Sequence, residues 1–131
     1  MFAMDTNTLI YFFKGAGRVT ERMLEVSPRR IGIPMIVVYE IESGIRKSEA
    51  PARRQRQFEE LLETVSILPF DHEAAMSAAE LRASLEARGT PIGPMDTLIA
   101  GTALASNATL VTHNTREFSR VPDLVLDDWY P

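Results

Sequence analysis

Three acidic residues far apart in the chain stand where a carboxylate could do chemistry: Asp5, Glu40 and Asp96. Asp5 ends a short apolar run and comes directly before a predicted helix. In open α/β sheets, sites form at the carboxyl ends of the strands. Ligand sets made only of oxygen suit Mg²⁺ or Mn²⁺, and such metals can activate water against a phosphodiester and stabilise its leaving oxygen. The three acids therefore suggest a metal-dependent hydrolase.

Asp5 and Asp96 each have a structural alternative. Asp5 could serve as the N-cap of the helix that follows it, a position that aspartate fills well. Asp96 lies in the first turn of a predicted helix and could complement its dipole. That helix is apolar or small on every side, which predicts burial. A charge on a buried helix needs a partner, and a divalent cation is one such partner.

Glu40 borders an apolar stripe on a predicted helix and could equally be a surface glutamate. The stripe follows helical spacing and consists of Val37, Ile41, Gly44 and Ile45. Gly44 costs such a helix about 1 kcal/mol relative to alanine, which makes sense if another group must come close there. Glu42 lies on the opposite border and can pair with Arg46, so we expect it to be solvated.

Other chemistries have little support. The chain has no cysteine, which excludes disulfides and thiolate zinc sites. His72 and His113 stand alone and are expected to be structural or solvated, and no serine or threonine shows nucleophile–base spacing with either. Gly15-Ala16-Gly17 lacks the Lys-Ser/Thr of a phosphate-binding loop. A phosphatase with Asp5 as nucleophile is disfavoured, because Asn7 stands where a second aspartate is needed.

Short β-like runs alternate with longer helical patterns, which predicts an α/β fold with a mostly parallel sheet. Strands are predicted up to residue 5 and at 31–33, 65–68, 110–112 and 124–126. Helices are predicted at 6–14, 18–27, 34–47, 51–64, 71–89 and 95–106, with a stiff loop at 90–94. Pro34 and Pro94 suit the first turns of their helices, where a missing N–H is harmless.

Length and composition favour a single globular domain over residues 1–131. No signal peptide or spanning segment is evident, so a cytoplasmic protein without membrane contact is expected. The net charge of −4 is unusual for a protein that binds nucleic acid. The basic residues do cluster locally, at Arg29-Arg30 and from Arg46 to Arg56, although a solvated helix face is the common explanation of such runs.

Four stretches, in order and spread along the whole chain, resemble the PIN-domain family, and specifically the VapC-type toxins of bacterial toxin–antitoxin pairs. They are Met4-Asp5-Thr6-Asn7-Thr8, residues 39–45 (YEIESGI), residues 93–101 (GPMDTLIAG) and residues 110–118 (LVTHNTREF). The closing residues 125–129 (VLDDW) also fit the tail of that family.

The resemblance implies a three-layer α/β/α domain, usually dimeric, that hydrolyses RNA and leaves a 5′-phosphate. Asp5, Glu40 and Asp96 match the family's metal-binding acids. The family's fourth acid falls at Asn114, with Glu117 three residues on, and either could contribute a ligand oxygen. Polar positions near the family's site are matched by Thr6, Asn7 and Thr112.

The resemblance also implies partners. Structured RNA such as tRNA is a common VapC substrate, and residues 89–94 (GTPIGP) look like the subgroup that attacks initiator tRNA. A VapB-type antitoxin would block the site, and promoter DNA would be bound only through the antitoxin complex. A basic antitoxin segment would fit the acidic toxin. Because Asn114 replaces the fourth acid, a catalytically inert PIN-like module that holds RNA or a partner is the alternative.

Overall fold

The computed structural model describes all residues, 1–131. Its strands are β1 (Phe2–Met4), β2 (Ile31–Pro34), β3 (Ser66–Leu68), β4 (Thr109–Val111) and β5 (Leu126–Asp127). Its helices are α1 (Thr6–Lys14), α2 (Val19–Leu24), α3 (Met35–Arg46), α4 (Pro51–Leu62), α5 (His72–Ala87), α6 (Pro94–Ala105) and α7 (Thr115–Phe118), with one 3₁₀ turn at Pro28–Arg30. The alternation of strands and helices predicted from the sequence is confirmed.

The five strands form one sheet in the order β3-β2-β1-β4-β5, and every neighbouring pair is parallel. Ala3 of β1 pairs with Gly32 on one side and Leu110 on the other. The chain builds the sheet outward from β1 in both directions, so the order reverses between β1 and β4. Such a reversal opens a crevice at the carboxyl ends of those two strands, where ligands bind in α/β sheets.

Helices cover both faces of the sheet. All four residues of β2 are buried, and alternate side chains of a strand point to opposite faces. Burial on both faces is typical of a parallel sheet held between two helical layers. The predicted three-layer α/β/α architecture is confirmed.

Helices α5 and α6 approach each other closely at one glycine. A Cβ added to Gly101 of α6 would lie only 2.6 Å from the Cβ of Ala78 on α5 and 2.8 Å from its backbone nitrogen. No larger side chain fits at 101 without moving backbone. The small residue at 101 therefore allows α6, the helix that carries Asp96, to pack closely against α5.

Several predicted boundaries were wrong. The helix predicted at 18–27 ends at Leu24, because Ser27 precedes Pro28 and adopts an extended backbone (ψ 134°). Pro34 belongs to β2 and is the N-cap residue of α3, so this helix begins at Met35, one residue later than predicted. The last strand lies at 126–127 instead of 124–126, since pairing with β4 sets its register.

Two further differences affect the region of the candidate site. Helix α7 was not predicted, because a single turn is too short to show helical periodicity. Gly44 is exposed and does not belong to the buried stripe, which consists of Val37, Ile41 and Ile45. An added Cβ at 44 would meet no atom within 4 Å, so no part of this chain approaches the glycine.

None of the helices has the length and apolar character that crossing a membrane requires.

Candidate active site

Asp5 lies at the crevice where the strand order reverses, and it is buried with only 5% of its surface exposed. Its Oδ1 accepts a hydrogen bond from the Thr8 backbone N–H at 2.9 Å, so it is indeed the N-cap of α1. The Thr112 hydroxyl, just beyond β4, acts to lower the pKa of this carboxyl. Burial nevertheless raises the pKa of Asp5, and the nearby charge of Glu40 adds to the increase. The N-cap role accounts for the hydrogen bond from Thr8, but it does not explain why an ionisable carboxyl is buried at the crevice.

Glu40 of α3 is held over the start of α1 by a side chain contact. The Thr6 hydroxyl donates to Glu40 Oε1 at 2.6 Å, joining residues that are 34 positions apart. Glu42, two residues on, pairs with Arg46 as predicted, since its carboxylate accepts a hydrogen bond from the guanidinium at 2.8 Å, but its side chain is partly buried and not fully solvated. It also accepts one from the Gln55 amide of α4 at 2.9 Å. The two glutamates of one helix thus face different surroundings.

Asp96, in the first turn of α6, is partly buried and close to other carboxylates. Its pKa is raised to about 6, first by partial burial and then by the charges of Glu117, Asp5 and Glu40. The helix dipole would favour the ionised form, but desolvation and like charges outweigh it here. The raised pKa of Asp96 therefore indicates that its carboxyl lies within electrostatic range of Glu117, Asp5 and Glu40.

Glu117 of α7 uses both oxygens to join neighbouring segments. Its Oε1 accepts from the Gly93 backbone N–H at 2.8 Å, and its Oε2 accepts from the Asn114 side-chain amide at 2.9 Å. These bonds lower the pKa of Glu117. A Cβ placed on Gly93 would lie 3.5 Å from Asp96 Oδ2 and 3.9 Å from Glu117 Oε1, so both carboxylates border this glycine.

Asn114 connects to the same network through its backbone. Its N–H donates to the Thr112 hydroxyl at 3.0 Å. Asn114, which the resemblance predicts at the position of the family's fourth acid, is exposed and bonds to Glu117 and not to Asp5, Glu40 or Asp96. Whether it or Glu117 contributes a ligand oxygen stays a prediction.

We call Asp5, Glu40, Asp96 and Glu117 the acidic cluster. None of the five ion pairs in the structure involves any of its members. As the side chains stand, no three acidic or histidine groups form a ready coordination shell for a metal. The donor chemistry still fits Mg²⁺ or Mn²⁺, because the cluster offers only oxygens and excess negative charge. The assignment of these residues as metal ligands remains a prediction.

Some polar residues lie outside the cluster. Asn7 is exposed and forms no hydrogen bond with any of the four carboxylates, so the structure does not bring it into the cluster. His113 pairs with Asp128 at 2.9 Å and stacks on Tyr130, which agrees with its predicted structural role. His72 is exposed in the first turn of α5.

Sequence reasoning missed the backbone N–H of Gly93 as a partner of the site. The contact joins residues 24 positions apart, and it depends on α7, which was not predicted. The only local signal was the Gly93-Pro94 pair before the helix that carries Asp96, which marks a turn without indicating what the turn contacts.

The fold is a parallel α/β/α sandwich with carboxylates near the point where the strand order reverses, and comparison with known proteins identifies the family that has this arrangement. The model of the PIN domain family matches residues 3–124 of this chain. The tRNA(fMet)-specific endonuclease VapC of Salmonella typhimurium is 35% identical over 128 residues, covering 98% of this chain and 97% of the relative. Ribonuclease VapC2 of Rickettsia felis is 35% identical over 131 residues, covering 98% of each.

Solved structures give the same result. VapBC of Salmonella typhimurium bound to DNA matches with a TM-score of 0.91 and 36% identity, covering 98% of this chain and 97% of the other. VapBC2 of Rickettsia felis, bound to a DNA fragment from its promoter, matches with a TM-score of 0.90 and 34% identity over 98% of each chain. The chain belongs to the VapC ribonucleases of the PIN-domain family.

Proposed function

We propose that this protein is the toxin of a type II toxin–antitoxin pair and cuts RNA with Mg²⁺ or Mn²⁺ held by Asp5, Glu40 and Asp96. The observation that carries the proposal is the acidic cluster without any cationic partner. Burial, and then repulsion by the other members, raises the pKa of Asp96, and a divalent cation would offset both effects. Metal ions in such sites activate a water and stabilise the leaving oxygen of a phosphodiester.

Other residues of the chain would orient the three proposed metal ligands. Asp5 is oriented by the Thr8 backbone N–H as the cap of α1, so it offers a fixed carboxylate at the crevice. Glu40 is oriented by the Thr6 hydroxyl. Hydrogen bonds that orient a ligand are a regular part of metal sites. Glu117 would steady the loop before α6 through Gly93 and thereby the position of Asp96.

The relatives suggest the substrate and the partners. One relative at 35% identity is named as specific for tRNA(fMet), so we propose tRNA, including initiator tRNA, as the substrate class. Two structural neighbours are VapBC complexes bound to DNA. We infer a VapB-type antitoxin that covers the site, contact with promoter DNA only through that complex, a homodimeric toxin and a cytoplasmic location.

An inert PIN-like binding module is the second candidate. Two observations favour it: Asn114 stands at the position of the fourth acid, and no ready metal shell is present. Such a protein would hold RNA or a partner and leave the phosphodiester intact.

Cleavage of tRNA by the purified protein separates the two candidates. We expect cleavage with Mn²⁺ or Mg²⁺ that stops on addition of a chelator and is lost in Asp5→Asn, Glu40→Gln and Asp96→Asn. Glu42→Gln is the matched control, because it removes a carboxylate from the same helix at a place where Arg46 and Gln55 already engage it. Wild-type protein that leaves tRNA intact would favour the inert module, and equal activity in Glu40→Gln and Glu42→Gln would refute the assigned site.

A further inference from the structure

A groove of about 200 Å³ lies between α1, α3 and α4, and Glu40 of the acidic cluster is among the residues that line it. The half-buried Phe13 contributes apolar surface, and Lys14 and Arg54 contribute positive charge. We call this the α1–α3–α4 groove. Because Glu40 also belongs to the acidic cluster, a ligand in the groove would contact one of the four carboxylates.

Helix α4 carries its charges in the order that stability disfavours. Arg53, Arg54 and Arg56 lie in its first half, and Glu59 and Glu60 follow toward its C-terminus. The helix dipole favours acidic residues at the start of a helix and basic residues at its end. None of the three arginines forms an ion pair. Helix stability therefore does not explain this placement, whereas a polyanion in the groove would explain Arg54, which alone of the three lines it.

Gly44 provides an independent observation. Glycine is among the least favourable residues inside a helix, and close packing does not require it here, since an added Cβ would meet nothing within 4 Å. Gly44 lines the α1–α3–α4 groove on the same helix as Glu40. The absence of a side chain leaves room beside a residue of the acidic cluster.

We propose that the α1–α3–α4 groove receives the single-stranded RNA segment next to the cleaved bond, with phosphates on Lys14 and Arg54. The apolar surface of Phe13 suits an unstacked base, as in other proteins that bind single strands with a positive groove and aromatic side chains. Gly44 leaves space for the RNA backbone. The inference rests on the proposed function and specifies how the same site holds its substrate, which an acidic protein must do with local positive charge.

Binding of a short, fluorescently labelled single-stranded oligoribonucleotide tests the groove without cleavage, because a chelator is present throughout. We expect Lys14→Gln/Arg54→Gln to weaken binding about tenfold and to reduce the slope of log Kd against log salt by about 1.4, since each phosphate contact on a single strand contributes about 0.7. Arg53→Gln/Arg56→Gln is the matched control. It removes the same charge from exposed positions, both within one helical turn of Arg54 on α4, but neither residue lines the groove.

The glycine gives a second readout. We expect Gly44→Ala to raise the melting temperature by about 3 °C, as a better helix former in open space should. It should also weaken oligonucleotide binding, whereas a purely structural glycine would change only stability. Equal binding by wild type, Lys14→Gln/Arg54→Gln and Gly44→Ala would overturn the proposal and leave the groove to a peptide partner.

The same assay keeps this proposal distinct from the proposed function. Protein that binds the oligonucleotide through Lys14 and Arg54 but never cuts tRNA would support the groove and refute catalysis. Protein that cuts tRNA with no contribution from either residue would support catalysis and refute the groove.

Discussion

Asp96→Asn should stabilise the metal-free protein, although most substitutions of partly buried residues destabilise. The pKa of Asp96 rises from 3.8 to about 6 on folding, through burial and then the charges of Glu117, Asp5 and Glu40. A difference of that size corresponds to about 3 kcal/mol. Because the carboxyl is only partly buried, solvent screening reduces the expected gain to about 1–2 kcal/mol near neutral pH.

The sign follows from proton binding. The folded protein binds the Asp96 proton more tightly than the unfolded chain does, so the unfolding free energy of the wild type falls as pH rises from about 4 to about 6. The asparagine variant lacks this contribution. Its advantage should be absent below about pH 4 and complete above about pH 6. Urea unfolding in chelator, followed by circular dichroism across this range, measures both quantities.

Glu73→Gln provides the control for a simple dipole effect. Glu73 lies in the first turn of α5, as Asp96 lies in the first turn of α6, but it is exposed and away from the acidic cluster. Loss of its charge should lower the unfolding free energy by about 0.3–1 kcal/mol. An Asp96→Asn variant that is also less stable than wild type near neutral pH, or whose difference does not change with pH, would refute the reasoning.

Metal should reverse the order of stability. An ion that binds only the folded protein stabilises it by about 2.7 kcal/mol at a hundred times its dissociation constant, which exceeds the advantage of about 1–2 kcal/mol expected for Asp96→Asn. Wild type should therefore gain on addition of Mg²⁺, while Asp96→Asn should gain little. A variant stabilised by Mg²⁺ as much as wild type would show that Asp96 does not contribute to the metal site.

Three further predictions concern the elements around the site. Asp5→Asn should keep the α1 cap, whereas Asp5→Ala should cost roughly 1 kcal/mol more in unfolding free energy; both should lose cleavage, and wild-type cleavage by Asp5→Asn would contradict its role. Thr6→Val removes the donor to Glu40 and should lower the metal-dependent rate about tenfold or more with little change in melting temperature; an unchanged rate would show that Glu40 needs no such orientation. Gly101→Val should lower the unfolding free energy by about 1–3 kcal/mol, because its Cβ would meet Ala78; wild-type stability in urea would contradict the close approach of α5 and α6.

The local parts of the structure could be predicted from sequence because their causes are local. Helix α1 has the predicted bounds, with Asp5 as its cap and Gly15 in the left-handed conformation (φ +66°) at its end. Asp71 caps α5 as expected, and Pro94 begins α6. Each of these features depends on residues within one helical turn of one another.

The parts that could not be predicted depend on tertiary contacts. The bond between Glu117 and Gly93 forms only when α7 lies beside the loop before α6. The part of the raised pKa of Asp96 that comes from neighbouring charges requires Glu117, Asp5 and Glu40 to be nearby. Helical spacing alone predicts Gly44 at the edge of the buried stripe of α3. Because α1 and α4 pack against other positions of α3, Gly44 remains exposed. Sequence spacing identified the acids but not the network that orients them.

Direct binding of Mn²⁺, followed by electron paramagnetic resonance of the free ion, tests the central claim without relying on cleavage. The claim is that carboxylates from separate elements hold a divalent cation at the crevice between β1 and β4. We expect saturable binding by the wild type and by Glu42→Gln, with binding abolished or greatly weakened in Glu40→Gln and Asp96→Asn. Equal Mn²⁺ binding in Glu40→Gln and Glu42→Gln, or no binding by the wild type, would contradict the account.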